Sequence, residues 1–326
     1  MAVKHSYQFI VSAIAILGLA YILPEAGATG GWLHSERTTR AGIFIIFFLQ
    51  GLILPSAALR RGLLEWRLHL FCQSMTFIGI PLLFLASTWI LRSWLPADII
   101  IGMLYLAILP TTLSTSVVFT TQAGGNTVGA IFNASVGNIL GIFIVPVLAT
   151  LLLYPVGSTA PLLPLLFQVM ALLLLPLVIG YVLRPYCKSW IHAKQKYFKP
   201  INSLIIYFIL YVSFCNTFED PQLQTLPLQS LCFTIAFIAC MLSVITGLAF
   251  YTTRFLRFNY PNATCAVFCA SQKTLAAGVP MAQFIFAENQ QVEVGLILLP
   301  ILIYHPLQLA LGGYLIDKLK RVSTQA

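Results

Sequence analysis

The chain has 326 residues, of which 59% are hydrophobic and only 8% are charged. Soluble proteins carry about 25% charged residues, so 18 basic and 9 acidic side chains cannot cover a soluble surface of this size. The composition excludes soluble enzymes, nucleic-acid-binding proteins and secreted disulfide scaffolds. It predicts an all-α polytopic membrane protein, because backbone that faces lipid must satisfy its own hydrogen bonds.

Ten segments are long and apolar enough to cross a bilayer, which takes about 20 residues for roughly 30 Å of hydrocarbon. They cover residues 7–24, 41–59, 68–91, 98–121, 127–154, 160–183, 200–218, 226–253, 261–287 and 292–316. We expect ten transmembrane helices, with the lipid bilayer as the main partner and no nucleic acid bound.

The distribution of charge predicts the orientation of these spans. When the N-terminus is placed in the cytoplasm, the loops on that side hold most of the 18 basic residues: Lys4, Arg60, Arg61, Arg67, Arg184, Lys188, Lys194, Lys196, Lys199, Arg254, Arg257, Lys318, Lys320 and Arg321. This asymmetry follows the positive-inside rule. It indicates that both termini are cytoplasmic, and it accounts for the net charge of +9.

A boundary near residues 154–159 divides the chain into two halves of five spans, residues 1–155 and 156–326. Because each half has an odd number of spans, the halves insert with opposite orientation, as in many secondary transporters. The fourth span of each half carries helix-breaking and polar residues: Pro110, Thr111, Thr112, Ser114, Thr115 and Ser116 in span 4, and Ser271, Gln272, Lys273, Thr274, Gly278 and Pro280 in span 9. Interrupted helices at matching positions predict a binding site near the bilayer midplane.

Lys273 lies in the middle of span 9, and no Asp or Glu lies in the core of any predicted span. A lysine at the bilayer centre costs about 2.5–3.5 kcal/mol on insertion scales, which makes it a candidate functional residue. Its ammonium group can replace a coupling cation, carry a proton, or pair with an anionic solute. A fourth alternative is that it only braces the packing of two helices.

Four segments carry a resemblance to a known family: WRLHLFCQSMTF (66–77), LYLAILPTTLSTSVVFTTQAGGN (104–126), VFCASQKTLAAGVPMAQFIF (267–286) and LPILIYHPLQL (299–309). Together with the ten spans, they resemble the bile acid:sodium symporter superfamily. The resemblance is strongest to its SBF-like branch, which is related to the orphan seventh member of the vertebrate bile-acid carrier family.

The resemblance implies a panel of helices 1, 2, 6 and 7, and a core of helices 3–5 and 8–10 in which the unwound helices 4 and 9 cross. It further implies transport by alternating access, organic anions as solutes, sodium as the usual co-substrate, and a place in the bacterial inner membrane.

The resemblance also implies two sets of site residues. The sodium positions of relatives match polar residues here, but the family's carboxylate falls at Phe268 and is absent. The expected cation or proton site comprises Lys273, Gln272, Thr115, Ser116, Asn133 and Thr76. The expected solute site comprises Thr111, Thr112, Ser114, Ser271, Thr274, Asn138 and His305.

We therefore expect a secondary active transporter of a small organic solute, an organic anion, whose cation coupling is altered or replaced by Lys273. Such a carrier is either sodium-independent or proton-coupled. The alternatives are a sodium-coupled symporter with a relocated ion site, and a membrane regulator that does not transport. An enzyme is not expected, because the spans contain no acid–base pair and no HExxH motif. We expect no cofactor or bound metal beyond sodium or a proton as co-substrate, and either a monomer or a homodimer.

Overall fold

The computed structural model describes residues 2–54, 64–91, 94–153, 162–219, 227–286 and 293–323, and the regular structure in these ranges is helical. The helices are α1 (Ala2–Ile22), α2 (Pro24–Gly27), α3 (Ser35–Ile53), α4 (Trp66–Ser74), α5 (Ile80–Leu91), α6 (Ala97–Ile108), α7 (Leu113–Gln122), α8 (Thr127–Leu153), α9 (Leu162–Leu183), α10 (Lys188–Glu219), α11 (Leu228–Phe255), α12 (Tyr260–Ser271), α13 (Leu275–Ile285) and α14 (Val294–Ser323). A π-helical turn, Met75–Gly79, joins α4 to α5. The predicted repeat boundary at residues 154–159 lies outside the described residues.

Five helices in the described ranges are long and apolar enough to cross a bilayer, and the bent pair α6 and α7 makes a sixth. The five cover Trp66–Thr88, Thr127–Leu153, Lys188–Glu219, Leu228–Phe255 and Val294–Lys320. Two shorter apolar segments are Val11–Ile22 and Met170–Leu183. The all-helical, multi-pass prediction is confirmed, whereas the count of ten spans stays a prediction.

Helices α3 and α9 cross in direct backbone contact. A Cβ atom on Gly51 would overlap the carbonyl of Leu177, and a Cβ atom on Gly180 would overlap the carbonyl of Phe48. Glycines at such crossings allow transmembrane helices to pack closely. Helix α10 lies against α1, α2 and α3, so these helices form one contiguous group.

The two interrupted helices are surrounded by a second group. Helix α6 packs on α14, α11 packs on α12 and α14, and both α7 and α12 pack on α8. Tyr105 on α6 and Tyr304 on α14 are among the largest fully buried side chains of this group. The Tyr105 hydroxyl donates to the Gly278 carbonyl at 2.6 Å, and the Tyr304 hydroxyl donates to the Ser271 carbonyl at 2.8 Å. Buried hydroxyls therefore fix α13 and the end of α12.

Candidate functional site

The first interruption, residues 109–112 between α6 and α7, follows from Pro110. Proline lacks a backbone N–H and disfavours helical conformation in the residue before it. Leu109 is accordingly extended, with φ −67° and ψ 145°, and Thr112 is still extended at φ −81° and ψ 132°. The helix resumes at Leu113 after a bend of 56°.

The second interruption, residues 272–274 between α12 and α13, contains no proline and is held open by Gln308 of α14. The Lys273 N–H donates to Gln308 Oε1 at 2.6 Å, and Gln308 Nε2 donates to the Lys273 carbonyl at 3.0 Å. Thr274 begins α13, and its hydroxyl accepts from the Ala277 N–H at 3.4 Å. Gln308 is 0% exposed. The sequence analysis does not predict this role of Gln308, although a polar glutamine in an apolar helix, three residues after His305, indicates a buried hydrogen-bonding residue.

The two interruptions contact each other. The Thr274 N–H donates to the carbonyl of Pro110 at 2.9 Å. The Thr115 hydroxyl donates to Gln272 Oε1 at 2.9 Å. The predicted meeting of two unwound segments is therefore present in the structure: the Thr274–Pro110 bond joins them, and the Thr115–Gln272 bond joins the second segment to the first turn of α7.

The side-chain nitrogen of Lys273 lies at this meeting point and is bound by backbone carbonyls. Its Nζ donates to the carbonyls of Ala107 and Leu109, each at 2.7 Å, and the residue is only 1% exposed. Both carbonyls belong to the C-terminal end of α6, where the helix dipole places partial negative charge. The end of a half-helix therefore supplies the electrostatic compensation that a carboxylate would otherwise give.

Part of the expected cation site gathers around Lys273. Gln272 accepts from Thr115 and also donates through Nε2 to the Gln308 carbonyl at 3.3 Å. Ser116 is 0% exposed, and its hydroxyl donates to the Thr112 carbonyl within its own chain segment.

The other two expected cation ligands, Asn133 and Thr76, form no hydrogen bond with Lys273 among the described contacts. Asn133 on α8 accepts from Gln73 Nε2 at its carbonyl (3.1 Å) and at Oδ1 (3.3 Å), and its own Nδ2 donates to the Gly129 carbonyl at 2.9 Å. Thr76 is buried in the π-helical turn between α4 and α5. The hydrogen bonds that the structure gives Asn133 therefore point to Gln73 rather than to Lys273.

A cavity of about 420 Å³ adjoins the two interruptions and is called here the inner cavity. Five of the seven expected solute residues line it: Thr112, Ser114, Asn138, Thr274 and His305. The other two, Thr111 and Ser271, are buried at the interruptions and lie off its wall. Sequence reasoning missed the contribution of α10, which lines the cavity with Gln195, Phe198, Lys199, Asn202, Ser203, Ile206 and Tyr207.

Both half-helices that resume after the interruptions point their N-terminal ends into the inner cavity. Residues 112–114 of α7 and residues 274–276 of α13 all line it. N-terminal helix ends carry exposed N–H groups and partial positive charge, which attract anions. The lining residues that the structure describes include Lys199 but no Asp or Glu.

Two polar atoms on the wall of the inner cavity have no hydrogen-bond partner among the residues that the structure describes. The Ser135 hydroxyl on α8 is buried, with the residue 3% exposed, and Asn202 Oδ1 on α10 is likewise buried. Leu177, Phe198 and Ile206 add apolar surface beside them. The cavity therefore combines unused polar groups with apolar walls, which is the usual character of a small-molecule site.

Comparison with known proteins identifies the family. The family model described as the SBF-like CPA transporter family matches residues 7–321. Sodium/bile acid cotransporter 7 of Xenopus tropicalis is 34% identical over 324 residues, covering 96% of this chain and 91% of that protein. The cotransporter 7 of Rattus norvegicus is 33% identical over 319 residues (96% and 92%), and YfeH of Escherichia coli (strain K12) is 31% identical over 321 residues (97% and 94%).

The match extends over nearly the whole chain and includes both interruptions and the helices around the inner cavity. It agrees with the resemblance carried by the sequence segments above. It also shows that the protein is a transporter and an integral membrane protein rather than an enzyme. The chain belongs to the SBF-like CPA transporter family.

Proposed function

We propose that the protein is a secondary transporter of a small organic anion, in which the Lys273 ammonium group takes the place of a coupling cation. The observation that carries the proposal is the position of Lys273 Nζ, 2.7 Å from the carbonyls of both Ala107 and Leu109. Unwound carbonyls and C-terminal ends of half-helices are the groups with which transporters of this kind coordinate cations. The lysine therefore occupies a cation-binding environment with a charge of its own.

The inner cavity supports an anionic solute. The N-terminal ends of α7 and α13 and the Lys199 side chain bring positive potential to it, and its described lining contains no acidic residue. The unpartnered Ser135 hydroxyl can donate to a carboxylate or sulfonate, while Asn202 Oδ1 accepts from a hydroxyl of the solute. Leu177 and Ile206 then contact its apolar part.

A sodium-coupled symporter with a relocated ion site is the second candidate. One observation favours it: Gln73 Oε1 is buried beside Asn133 and accepts from no donor among the described residues. Oxygen atoms of this kind are suitable ligands for hard cations.

The membrane arrangement belongs to the same proposal. Each of the ten segments expected from the sequence coincides with a helix or with a pair of helices, which supports ten spans in two inverted halves. Contacts of α3 with α9 and α10, and of α10 with α1, support a panel of spans 1, 2, 6 and 7. The inner cavity lies at the end of α10 that carries Lys188 to Lys199, so the positive-inside rule makes it open to the cytoplasm. We propose both termini there, in a bacterial inner membrane.

Thermal unfolding of the purified protein tests the proposal, since a ligand that binds only the folded state raises the Tm. The wild-type protein and Lys273→Ala are compared in sodium and potassium at equal ionic strength, with organic anions and their neutral amides. We expect some anions, but not their amides, to stabilise the wild-type protein equally in both salts. Lys273→Ala exposes the carbonyls of Ala107 and Leu109 and should gain a sodium response.

The two candidates give opposite results in this experiment. Stabilisation of the wild-type protein by sodium, abolished in Asn133→Ala and retained in Lys273→Ala, would replace the first candidate with the second. Uptake of the stabilising anion into proteoliposomes then separates a carrier from a regulator that binds without transporting.

A further inference from the structure

A second, smaller cavity of about 100 Å³ lies at the opposite ends of the helices that line the inner cavity, and is called here the outer cavity. Its lining combines apolar residues with polar ones that include Thr29, Glu36, Thr39, Arg40, Asn216 and Gln283. The Thr39 hydroxyl is buried there and has no hydrogen-bond partner among the described residues, with the residue 6% exposed.

Three helices run past both cavities. Helix α3 lines the outer cavity with residues 35–43 and the inner cavity with residues 50–53. Helix α10 lines the inner cavity with residues 195–207 and the outer cavity at Val212 and Asn216. Helix α13 lines the inner cavity at its first residues and the outer cavity at Gln283 and Phe284. The two cavities therefore lie along one line between the same elements.

A thin apolar layer separates the two cavities. Between the residues that line the two cavities, the three helices carry buried apolar residues of one core cluster: Ile46 and Phe47 on α3, Ile209 and Leu210 on α10, and Val279 and Met281 on α13. At 1.5 Å of rise per residue, the five residue steps from Tyr207 to Val212 on α10 give this layer a thickness of roughly 8 Å, and the seven steps from Ile43 to Gln50 on α3 give roughly 10 Å. A small rearrangement of these helices would join the cavities to form a continuous path.

Polar contacts close the outer end of this path. Gln283 Nε2 on α13 donates to the Ser213 hydroxyl on α10. The Thr29 N–H donates to Asn216 Oδ1 at 2.8 Å, and the Thr217 hydroxyl donates to Glu293 Oε2 at 3.4 Å. These contacts tie α10 to α13 and to the start of α14. At the inner end, by contrast, the inner cavity separates the same helices.

We infer that the outer cavity is the closed outer end of the solute path, and that the Ser213–Gln283 hydrogen bond is one of the contacts that hold it closed. The inference rests on the proposed transport function. Because Thr39 and Gln283 line this end, the same anionic solute would meet their polar groups once the bond opens. Losing one such bond shifts the equilibrium toward the open form by up to about tenfold.

Cysteine labelling tests the inference without any solute. Thr39→Cys reports on the outer cavity and Ser203→Cys on the inner cavity, in full-length protein in nanodiscs, where both faces meet a water-soluble maleimide. Peptide mass spectrometry distinguishes each reporter from the native cysteines. In the parent protein we expect fast labelling at residue 203 and slow labelling at residue 39. Adding Gln283→Ala should raise the rate at residue 39 by about five- to tenfold and lower the rate at residue 203.

Ser243→Ala is the matched control, because Ser243 bonds only its own helix, at the Ala239 carbonyl, in the structure as described, and is exposed on α11. It should change neither rate. Unchanged rates in Gln283→Ala, or a parallel rise at both reporters, would overturn the inference. If the cysteines are labelled as expected but no organic anion stabilises the protein, the proposed function is refuted. The inference about the Ser213–Gln283 hydrogen bond then still holds.

Discussion

The carboxamide of Gln308 pairs with both backbone polar groups of Lys273, accepting from its N–H at 2.6 Å and donating to its carbonyl at 3.0 Å. Because the N–H of Lys273 can only donate, this pairing determines which atom of the Gln308 carboxamide is the oxygen and which is the nitrogen. The Gln308 Nε2 atom also lies 2.9 Å from His305 Nδ1, which must therefore accept, so His305 is neutral with its proton on Nε2. Gln308 thus connects the wall of the inner cavity to the second interruption.

Gln308→Leu should destabilise the protein strongly. The substitution leaves the buried N–H and carbonyl of Lys273 unpaired, which lowers the free energy of unfolding by roughly 1–3 kcal/mol for each group. We expect a large fall in the Tm of the purified protein. Gln122→Leu, at the exposed end of α7, is the control and should alter the free energy of unfolding by less than about 0.5 kcal/mol. Equal melting of the two variants would show that Gln308 does not hold the interruption.

Gly51→Ala should destabilise the crossing of α3 and α9, because the added methyl group overlaps the Leu177 carbonyl. Overpacking of this kind costs typically about 1–3 kcal/mol, measured as a fall in Tm. The control is Gly18→Ala on α1, where no atom lies within 4 Å of the added Cβ atom. Since alanine favours helix over glycine, the control should retain or slightly raise the Tm. A stable Gly51→Ala variant would contradict the close crossing.

Ser135→Ala should separate solute binding from stability. The Ser135 hydroxyl makes no hydrogen bond with the described residues, so its removal should leave the Tm unchanged or slightly higher. An anion that stabilises the wild-type protein should nevertheless bind roughly two- to tenfold more weakly, which corresponds to one hydrogen bond. Isothermal titration measures the affinity, with Ser243→Ala as the control. Undiminished affinity would exclude the Ser135 hydroxyl from the solute site.

Lys199→Gln should raise the KM for an anionic solute in proteoliposome uptake, because Lys199 is the charged side chain in the described lining of the inner cavity. The difference from the wild-type protein should shrink as salt is added, since the Debye length is about 10 Å at 0.1 M. Lys194→Gln is the matched control on the same helix: Lys194 lies 5.8 Å from the Tyr197 ring centroid, off the cavity wall. A KM that rises equally in both variants would indicate a general surface-charge effect.

The sequence predicts both helix interruptions, but the two interruptions have different physical causes. Pro110 acts through local rules, so the first interruption can be placed from the sequence alone. The second depends on Gln308, which is 35 residues away from Lys273 along the chain. Gly278 and Pro280, which also marked this span as irregular, lie inside α13. A local pattern identifies the irregular segment, but only the packing of α14 against it shows what holds it open.

The candidate site was predictable to a similar extent. Residues close in sequence to the interruptions, such as Thr112, Thr274 and Gln272, lie where the pattern placed them. Asn133 bonds Gln73 instead, because helical periodicity gives the face of a residue but not the neighbouring helix that the face meets. The part of the cavity lining that α10 supplies could not be predicted. Its polar residues lie in or directly after a basic segment that the sequence alone assigns to a loop.

The covalent attachment of the Lys273 ammonium group has a thermodynamic consequence. A cation that remains with the protein through every cycle dissipates no ion gradient, so such a carrier can only move its solute down that solute's own electrochemical gradient. A potential of 100 mV, negative inside, is worth about 2.3 kcal/mol per elementary charge, or roughly fiftyfold in the concentration ratio of a monovalent anion. Unless the anion is more than roughly fiftyfold more concentrated outside, a carrier built this way would give net efflux.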